Sequence, residues 1–237
     1  MARIGIIAAM FREVHPLVRN MKALRYLPDR RVRLYQDDNA TIAYAGMGRE
    51  PAAMACRAAL ASGELSSLVS IGWAGGLNAG ASSGRVVEPS LVIDSLSGRR
   101  YEARGHGGTL VTVQLIANLE EKRQLGEKFH GDYVDMEAAT VAECACEADL
   151  PFYCFKALSD EHDARLPDMN RFNRRGKFSV WRFIAYVGVR PAIWGVVSDM
   201  SRASLDSRDA LCKRLEQWIR ESSQPSAVST QPGSVNV

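Results

Sequence analysis

The chain has 237 residues, of which 46% are hydrophobic and 24% charged, and its formal net charge is +3. These values are typical of a soluble globular protein with one domain. The five cysteines form no C-x-x-C pair and do not suit a metal cage, so we expect reduced cysteines in a cytoplasmic protein. The apolar N-terminal stretch lacks the features of a signal peptide and is too short to span a bilayer.

Positive charge is concentrated in the C-terminal quarter. The segment from Arg165 to Glu221 carries 12 Lys and Arg against 6 Asp and Glu, whereas the first 163 residues carry 18 against 21. Such an excess most often lies on a solvent-exposed face of the protein. Alternatively, it binds an anionic membrane surface, a nucleic acid or a phosphorylated ligand. We favour the solvated face and expect no nucleic-acid partner.

The first predicted elements are a central strand over Ile4–Ala8 and a helix that begins near Arg12, with Pro16 expected in its first turn. This spacing places Glu13 at a strand-to-helix junction, at the carboxyl end of the strand. Ligands of open α/β sheets bind at that edge. The structural alternative for Glu13 is a first-turn carboxylate that satisfies free backbone N–H groups.

A hairpin is predicted from Val32–Tyr35 and Ala40–Ala45, and a Gly-Met-Gly sequence follows it. Gly46 and Gly48 let the backbone approach a ligand closely. Pro51 suits the first position of a helix that runs to about residue 61.

The strand predicted over Leu68–Ile71 enters the small-residue loop Gly72–Leu77, which includes Gly75. Neither this loop nor the one after the first strand has the G-x-G-x-x-G pattern of a dinucleotide site. A further strand over Leu91–Asp94 leads into a polar loop, Ser95–Gly108. Next come a predicted strand at residues 110–113 and a helix at 115–125 that glycine 126 ends.

Two clusters of carboxylates flank a predicted helix and strand. Asp135 is a plausible N-cap of the helix, which ends before Pro151, and Glu137 lies near the helix start. A buried strand over Phe152–Leu158 then places Ser159 and Asp160 at its carboxyl end. The structural alternatives are that Glu137 complements the helix dipole and that Asp160 caps a turn.

Four sequence motifs resemble those of one enzyme family. D-M-E-A at 135–138 and L-S-D at 158–160 resemble the VEMEA and AISD motifs of methylthioadenosine/S-adenosylhomocysteine nucleosidases and purine nucleoside phosphorylases. The opening IGIIAAMFREV resembles the nucleosidase run IGIIGAMEEEV, and GWAGGL at 72–77 resembles TGSAGGL. The resemblance spans about residues 4 to 163.

The resemblance implies a single-domain, three-layer α/β/α fold with a central mixed twisted sheet, and an N-glycosidic bond as the target. It implies that Asp160 is the general acid at purine N7, that Glu13 activates water and that Glu137 binds the ribose hydroxyls. It also implies substrate-binding roles for Met136, Ser159, Gly75, Met10 and Gly48. The mechanism needs neither a metal nor an organic cofactor, and family members are usually dimers or larger.

The sequence departs from the family pattern at several positions. Phe11 and Arg12 replace two acids, and Trp73 replaces a serine. Ser70 stands where hexameric phosphorylases carry a phosphate-binding arginine, which favours hydrolysis over phosphorolysis. The base-stacking phenylalanine of the nucleosidases has no clear counterpart.

The apolar stretch Met169–Val197 is predicted to form two helical pieces, most often a sign of ordinary core packing. Its R-P-A-I-W run and the basic helix after it resemble the hopanoid-associated branch of the family, which implies adenosylhopane as substrate and a peripheral membrane contact. Arg208–Glu221 is predicted as an amphipathic helix that closes a domain of residues 1–221. Ser222–Val237 is predicted to be a disordered tail.

Two alternatives stay open. One is a phosphorylase in which Arg12 or Arg49 replaces the missing arginine and binds phosphate. The other is a non-catalytic module that binds an adenosine-type ligand or an anionic membrane surface. The joint presence of Glu13, Glu137 and Asp160 argues against the binding module, because binding alone does not require this set.

Overall fold

The computed structural model describes residues 2–26, 28–163, 173–174, 177–178 and 194–223. The strands are β1 (Arg3–Ala8), β2 (Lys22–Leu24), β3 (Arg33–Gln36), β4 (Ala40–Tyr44), β5 (Leu65–Gly76), β6 (Val86–Val87), β7 (Leu91–Asp94), β8 (Arg100–Glu102), β9 (Thr109–Thr112), β10 (Tyr133–Asp135), β11 (Phe152–Asp160), β12 (Asn173–Arg174) and β13 (Lys177–Phe178). The helices are α1 (Phe11–Val18), α2 (Arg49–Ala61), α3 (Leu119–Phe129), α4 (Ala138–Glu147) and α5 (Trp194–Ser223).

One mixed sheet of eleven strands forms the centre of the molecule, in the order β2-β3-β4-β1-β5-β10-β9-β7-β8, with β11 pairing both β5 and β6. Strands β1, β4, β5 and β11 are parallel, whereas β10 is antiparallel to β5. Helices α1 and α5 pack together on one face, and α2 and α4 pack together on the other. The predicted three-layer α/β/α fold with a mixed sheet is confirmed.

Alternation along β1 shows how the sequence builds the two helical layers. Ile4, Ile6 and Ala8 join the core cluster of α1 and α5, which includes Leu211. Ile7 joins the cluster of α2 and α4. Successive side chains of a strand point to opposite faces, so an unbroken apolar run is suited to a strand that is buried on both faces.

Strand β5 is longer than predicted and changes the expected loop Gly72–Leu77. It continues to Gly76, because Gly72 pairs with Lys156 of β11 and Gly76 pairs with Tyr133 of β10. The small residues of this segment therefore belong to the sheet and lie between two neighbouring strands. The predicted loop Ser95–Gly108 likewise contains a short strand, β8, which pairs with β7.

Helix α3 corrects the prediction of a helix at 115–125 ended by Gly126. It begins at Leu119 because Asn118 is its N-cap and forms a capping box with Glu121. Gly126 lies inside the helix, where an added Cβ would be 3.3 Å from the carbonyl oxygen of Leu77. The glycine therefore permits close packing, and His130, with φ 49°, ends the helix instead.

Three other helix starts differ slightly from the prediction. Helix α1 begins at Phe11, so Pro16 lies in its second turn and not its first. Helix α2 begins at Arg49, two residues before Pro51. Asp135 is the last residue of β10, yet its Oδ2 accepts a hydrogen bond from the Ala138 backbone N–H at 2.9 Å, so it satisfies the start of α4 as expected.

The C-terminal predictions fall partly outside the described residues. The helix predicted over Arg208–Glu221 lies within α5. The prediction of two helical pieces over Met169–Val197 is wrong at Asn173–Arg174 and Lys177–Phe178, which form the paired strands β12 and β13. The other residues of this stretch before Trp194, and the predicted tail beyond residue 223, lie outside the described part of the chain. Within the described part, the helices are too short or too polar to cross a bilayer.

Candidate active site

A cavity of about 250 Å³ lies at the carboxyl ends of β1, β5 and β11 and beside the end of β10. Parallel strands end at one edge of a sheet, which brings together residues that are far apart in sequence. Seven of the eight predicted site residues line this cavity: Met10, Glu13, Gly75, Met136, Glu137, Ser159 and Asp160. The eighth, Gly48, does not line the cavity, but its backbone N–H donates a hydrogen bond to Glu137, which does.

Glu13 is 3% exposed and enters the cavity from the first turn of α1. Its Oε2 accepts hydrogen bonds from the backbone N–H groups of Ala9 and Met10, both at 2.8 Å. One oxygen therefore has the capping role of the structural alternative, while the carboxyl group still lines the cavity. Burial raises the pKa of Glu13 above its ordinary value, and the amide hydrogen bonds and the charge of Lys156 only partly offset this.

Gly72 makes the position of Glu13 possible. Its φ of +143° is rare for residues with a side chain, and an added Cβ would lie 2.9 Å from Glu13 Oε1. The G-W-A-G-G-L motif therefore brings the β5 backbone directly against the carboxyl group.

Glu137 stands between β10 and α4, and its Oε1 accepts a hydrogen bond from the Gly48 backbone N–H at 2.7 Å. Gly48 has φ +93° and precedes α2, so the G-M-G sequence aims an amide at this carboxyl group. Burial, followed by the nearby charge of Asp135, raises the pKa of Glu137 to about 8. This environment therefore favours the protonated form of Glu137.

Asp160, at the end of β11, has a different environment. Its Oδ1 accepts a hydrogen bond from Ser159 Oγ at 2.5 Å, and its Oδ2 forms an ion pair with the ammonium of Lys122. Ser159 Oγ also lies 3.3 Å from the carbonyl oxygen of Ala74. Sequence reasoning missed Lys122, because a lysine in a charged helix such as α3 is ordinarily solvent-exposed.

A second buried ion pair lies next to the cavity. Lys156 is fully buried, and its Nζ is 2.8 Å from Asp135 Oδ2 and 3.1 Å from Ser70 Oγ. Burial is the largest single influence and disfavours the ammonium, but the charges of Asp135, Cys154 and Glu137 and the hydrogen bond to Asp135 together outweigh it and raise the pKa of Lys156. Asp135 is also the acceptor for Thr112 Oγ1 at 2.7 Å, so the pair is tied to the sheet on both sides.

The two arginines considered as phosphate ligands are not equivalent. Arg49 lies at the start of α2, but its guanidinium forms an ion pair with Asp94 at 2.5 Å. This pairing raises the pKa of Arg49. It also means that Arg49 would have to leave Asp94 to bind the phosphate of the phosphorylase alternative. Arg12 is exposed on α1.

Apolar side chains form the rest of the cavity wall: Met47, Trp73, Val113, Ile116, Ala117 and Val134. Trp73 also packs against the core cluster shared by α1 and α5, so the indole lies between cavity and core. No phenylalanine occurs among the described residues that line the cavity. Across the described ranges, no group of three or more His, Cys, Asp or Glu side chains could hold a metal ion.

Comparison with known proteins identifies the family. Residues 3–119 match the model of the phosphorylase superfamily. A comparison with curated protein sequences gave no match.

Three solved structures share the fold over almost the whole chain. Futalosine hydrolase of Helicobacter pylori is 15% identical, with a TM-score of 0.69 over 93% of this chain and 98% of that one. The 5′-methylthioadenosine nucleosidase of Arabidopsis thaliana is 17% identical, with a TM-score of 0.70 over 92% and 96%. The 5′-methylthioadenosine/S-adenosylhomocysteine nucleosidase of Neisseria meningitidis, in complex with methylthio-immucillin-A, is 18% identical, with a TM-score of 0.68 over 94% and 100%.

These findings confirm the resemblance inferred from the motifs, and with it an enzyme of the nucleosidase or nucleoside phosphorylase class. The family match includes β1, Glu13 and the β5 segment. Residues 3–119 therefore resemble the phosphorylase superfamily, and the fold of the chain agrees with this resemblance.

Proposed function

We propose that the protein hydrolyses the N-glycosidic bond of a purine nucleoside, with adenine as the base. The observation that carries this proposal is that Glu13, Glu137 and Asp160, from three separate parts of the chain, line one cavity. Cleavage of this bond develops positive charge on the sugar and negative charge on the base. The site therefore has to protonate the base, hold the sugar and activate a nucleophile.

Each carboxyl group suits one of these tasks. Asp160 donates a proton to purine N7, so that the electron pair of the breaking C–N bond is accepted by a neutral base. Glu137 binds the ribose hydroxyls, and its ionised form stabilises the cationic sugar. Glu13 orients the attacking water and takes its proton, a task for which a pKa above the ordinary value makes a carboxylate a better base.

Hydrolysis is favoured over phosphorolysis by the cations near the cavity. Ser70, at the position of the phosphorylase arginine, bonds to Lys156, which is itself paired with Asp135. Arg49 is paired with Asp94. A phosphate dianion would have to break one of these pairs, whereas water needs only the Glu13 carboxylate.

For the 5′ substituent we propose a large apolar group, such as the hopane of adenosylhopane. Two features support this choice: the R-P-A-I-W run that begins at Arg190, and the apolar cavity wall of Met47, Val113 and Ile116. Burial of such a group contributes about 25 cal/mol per Å² of apolar surface. The basic excess of the C-terminal quarter would keep the enzyme at the anionic membrane that contains this substrate.

We also propose that the protein works as a homodimer. Leu96 and Leu115 are 65% and 61% exposed and line a second cavity that shares Val113 and Ala117 with the candidate site. Exposed leucines beside a site are typical of a protein surface that a partner covers.

Product analysis tests the proposed reaction. The protein is incubated with adenine and hypoxanthine nucleosides, with and without phosphate, and free base, ribose and ribose 1-phosphate are resolved. We expect free base and free sugar, at a rate independent of phosphate. Ribose 1-phosphate as the main product would establish the phosphorylase alternative, and tight binding without any product would establish the binding module.

Competition kinetics test the 5′ substituent separately. Methylthioadenosine competes with adenosine that bears a long or polycyclic 5′-alkyl group, in detergent. We expect a higher kcat/KM for the apolar substrate. A clear preference for methylthioadenosine would refute the lipid substrate while leaving the nucleosidase proposal in place.

A further inference from the structure

The ion pair between Lys122 and Asp160 is the feature of the cavity that the proposed mechanism leaves unexplained. Lys122 is 2% exposed, and besides Asp160 its Nζ contacts the carbonyl oxygen of Glu161 at 2.9 Å. Both members of the pair line the cavity. A lysine is almost never buried so completely unless it is paired, because its ammonium loses hydration.

The surroundings hold Asp160 in one orientation. Ser159 Oγ donates to its Oδ1 at 2.5 Å, and Lys122 holds its Oδ2. The β5 strand leaves room for the pair at Gly75, where an added Cβ would lie 2.9 Å from Asp160 Oδ2 and 3.3 Å from Lys122 Nζ. Three elements, α3, β5 and β11, therefore converge to fix the direction of one carboxyl group.

Lys122 is the positive charge held directly against Asp160, whereas the other titratable groups that line the cavity, Glu13, Asp135 and Glu137, are acids. When a general acid gives up its proton, it changes from neutral to negative. An adjacent ammonium stabilises the negative form more than the neutral one, so its effect is larger in the transition state than in the ground state. Removing Lys122 should therefore impair proton donation while leaving the sugar end of the site in place.

We propose that Lys122 is the positioning residue of the general acid, and that it orients Asp160 and stabilises the carboxylate formed when Asp160 protonates the base. In this step Asp160 first gains a proton from solvent; its O–H bond then breaks and an N–H bond forms on the base. The electron pair of the C–N bond passes to the purine, and Lys122 keeps its three protons. The inference rests on the proposed function, because it assigns Lys122 a part in that reaction.

A purely structural tie between α3 and β11 would make a different prediction. Such a tie would lower the free energy of unfolding when broken, but it would not change the pH dependence of the reaction. Nor would it distinguish a substrate that needs a proton from one that does not. The pH dependence of kcat and the comparison of the two kinds of substrate therefore distinguish a positioning role of Lys122 from a purely structural one.

The test compares Lys122→Met and Lys122→Arg with the control Lys128→Met, which removes an exposed lysine from the same helix. Each variant is assayed on a purine nucleoside and on 4-nitrophenyl β-D-ribofuranoside, whose leaving group departs without protonation. We expect Lys122→Met to lower kcat on the nucleoside by about 10- to 100-fold, as loss of orientation does, and to spare the nitrophenyl riboside. Lys122→Arg should recover most of the loss because it keeps the charge.

The pH profile gives the second readout. Because Lys122→Met removes a charge beside the general acid, the alkaline limb of kcat should move in that variant and stay in place in Lys128→Met. Equal losses on both substrates, or an unmoved limb, would overturn the inference. If Lys122→Met does not fold, Lys122→Arg carries the test: its altered geometry should leave a small loss of kcat on the nucleoside and none on the nitrophenyl riboside, and equal fractional losses on both substrates would count against positioning.

The wild-type protein separates this inference from the proposed function. If it releases neither base nor nitrophenol, the proposed function fails and the role of Lys122 fails with it. If the wild type cleaves nucleosides but Lys122→Met behaves like Lys128→Met, only the inference about Lys122 is wrong.

Discussion

Glu13 and Glu137 accept hydrogen bonds from backbone amides, whereas Asp160 pairs with the ammonium of Lys122. Amide dipoles do not fully replace the water lost on burial, so the pKa values of both glutamates are raised. A full positive charge instead supports the anion that Asp160 becomes. One cavity thus holds two kinds of carboxyl group: two buried glutamates bound by backbone amides and one aspartate paired with an ammonium.

The largest expected effect comes from removing the acid. Asp160→Asn keeps the shape of the side chain but cannot supply the proton, so kcat for base release should fall by about 10²- to 10⁴-fold. Thermal unfolding of the variant should show that the fold is intact. Near-normal turnover by the folded variant would remove Asp160 from the mechanism.

Glu137 should make substrate capture depend on pH. Its carboxylate accepts hydrogen bonds from ribose hydroxyls better than its neutral form, and its pKa is raised to about 8. The ratio of kcat/KM between the wild type and Glu137→Gln should therefore rise by about tenfold per pH unit below pH 8 and level off above it.

Taking this ratio cancels every pH dependence that the two proteins share. A ratio that stays flat between pH 6 and about 8.5 would mean that Glu137 does not titrate in the free enzyme.

Glu137 should also make the free energy of unfolding fall as the pH rises. The pKa of Glu137 rises from 4.5 to about 8 on folding, so its stabilising protonation is complete at low pH and is lost as the pH rises through about 8. Glu137→Gln has no such titration. Relative to the wild type, its free energy of unfolding should increase by up to about 1.4 kcal/mol per pH unit between about pH 5 and pH 8.

Denaturant unfolding of both proteins across this pH range measures the slope. A constant difference between them would show that folding leaves the proton affinity of Glu137 unchanged.

The contact between β5 and Glu13 gives the smallest expected effect. Gly72→Ala adds a Cβ 2.9 Å from Glu13 Oε1 at a φ of +143°, whereas Gly84→Ala adds one at φ +85° with no atom within 4 Å. Both changes strain the backbone, by about 1–3 kcal/mol, but only the first one displaces Glu13. Gly72→Ala should therefore lose more free energy of unfolding than Gly84→Ala, and it alone should lower kcat.

Chemical denaturation and steady-state assays of the two alanine variants check this prediction. If Gly84→Ala is as damaging as Gly72→Ala in both assays, the close approach of β5 to Glu13 has no role in catalysis.

Local sequence determined the parts of the site that depend on short-range geometry. An apolar run followed by a helix places Glu13 at a strand end, L-S-D does the same for Asp160, and D-M-E-A places Glu137 near a helix start. These placements follow from the period of each element and from where it begins or ends. The family resemblance then related the three carboxyl groups to one reaction.

Tertiary structure alone decided which charges stand beside those carboxyl groups. Lys122 lies 38 residues from Asp160, and Arg49 lies 45 residues from Asp94. Nothing in α3 marks its lysine as buried, and Gly126 resembles a helix end until its contact with Leu77 is seen. Periodicity reports which face of an element is apolar, but the partner of a buried charge depends on how the layers pack, and that depends on the whole chain.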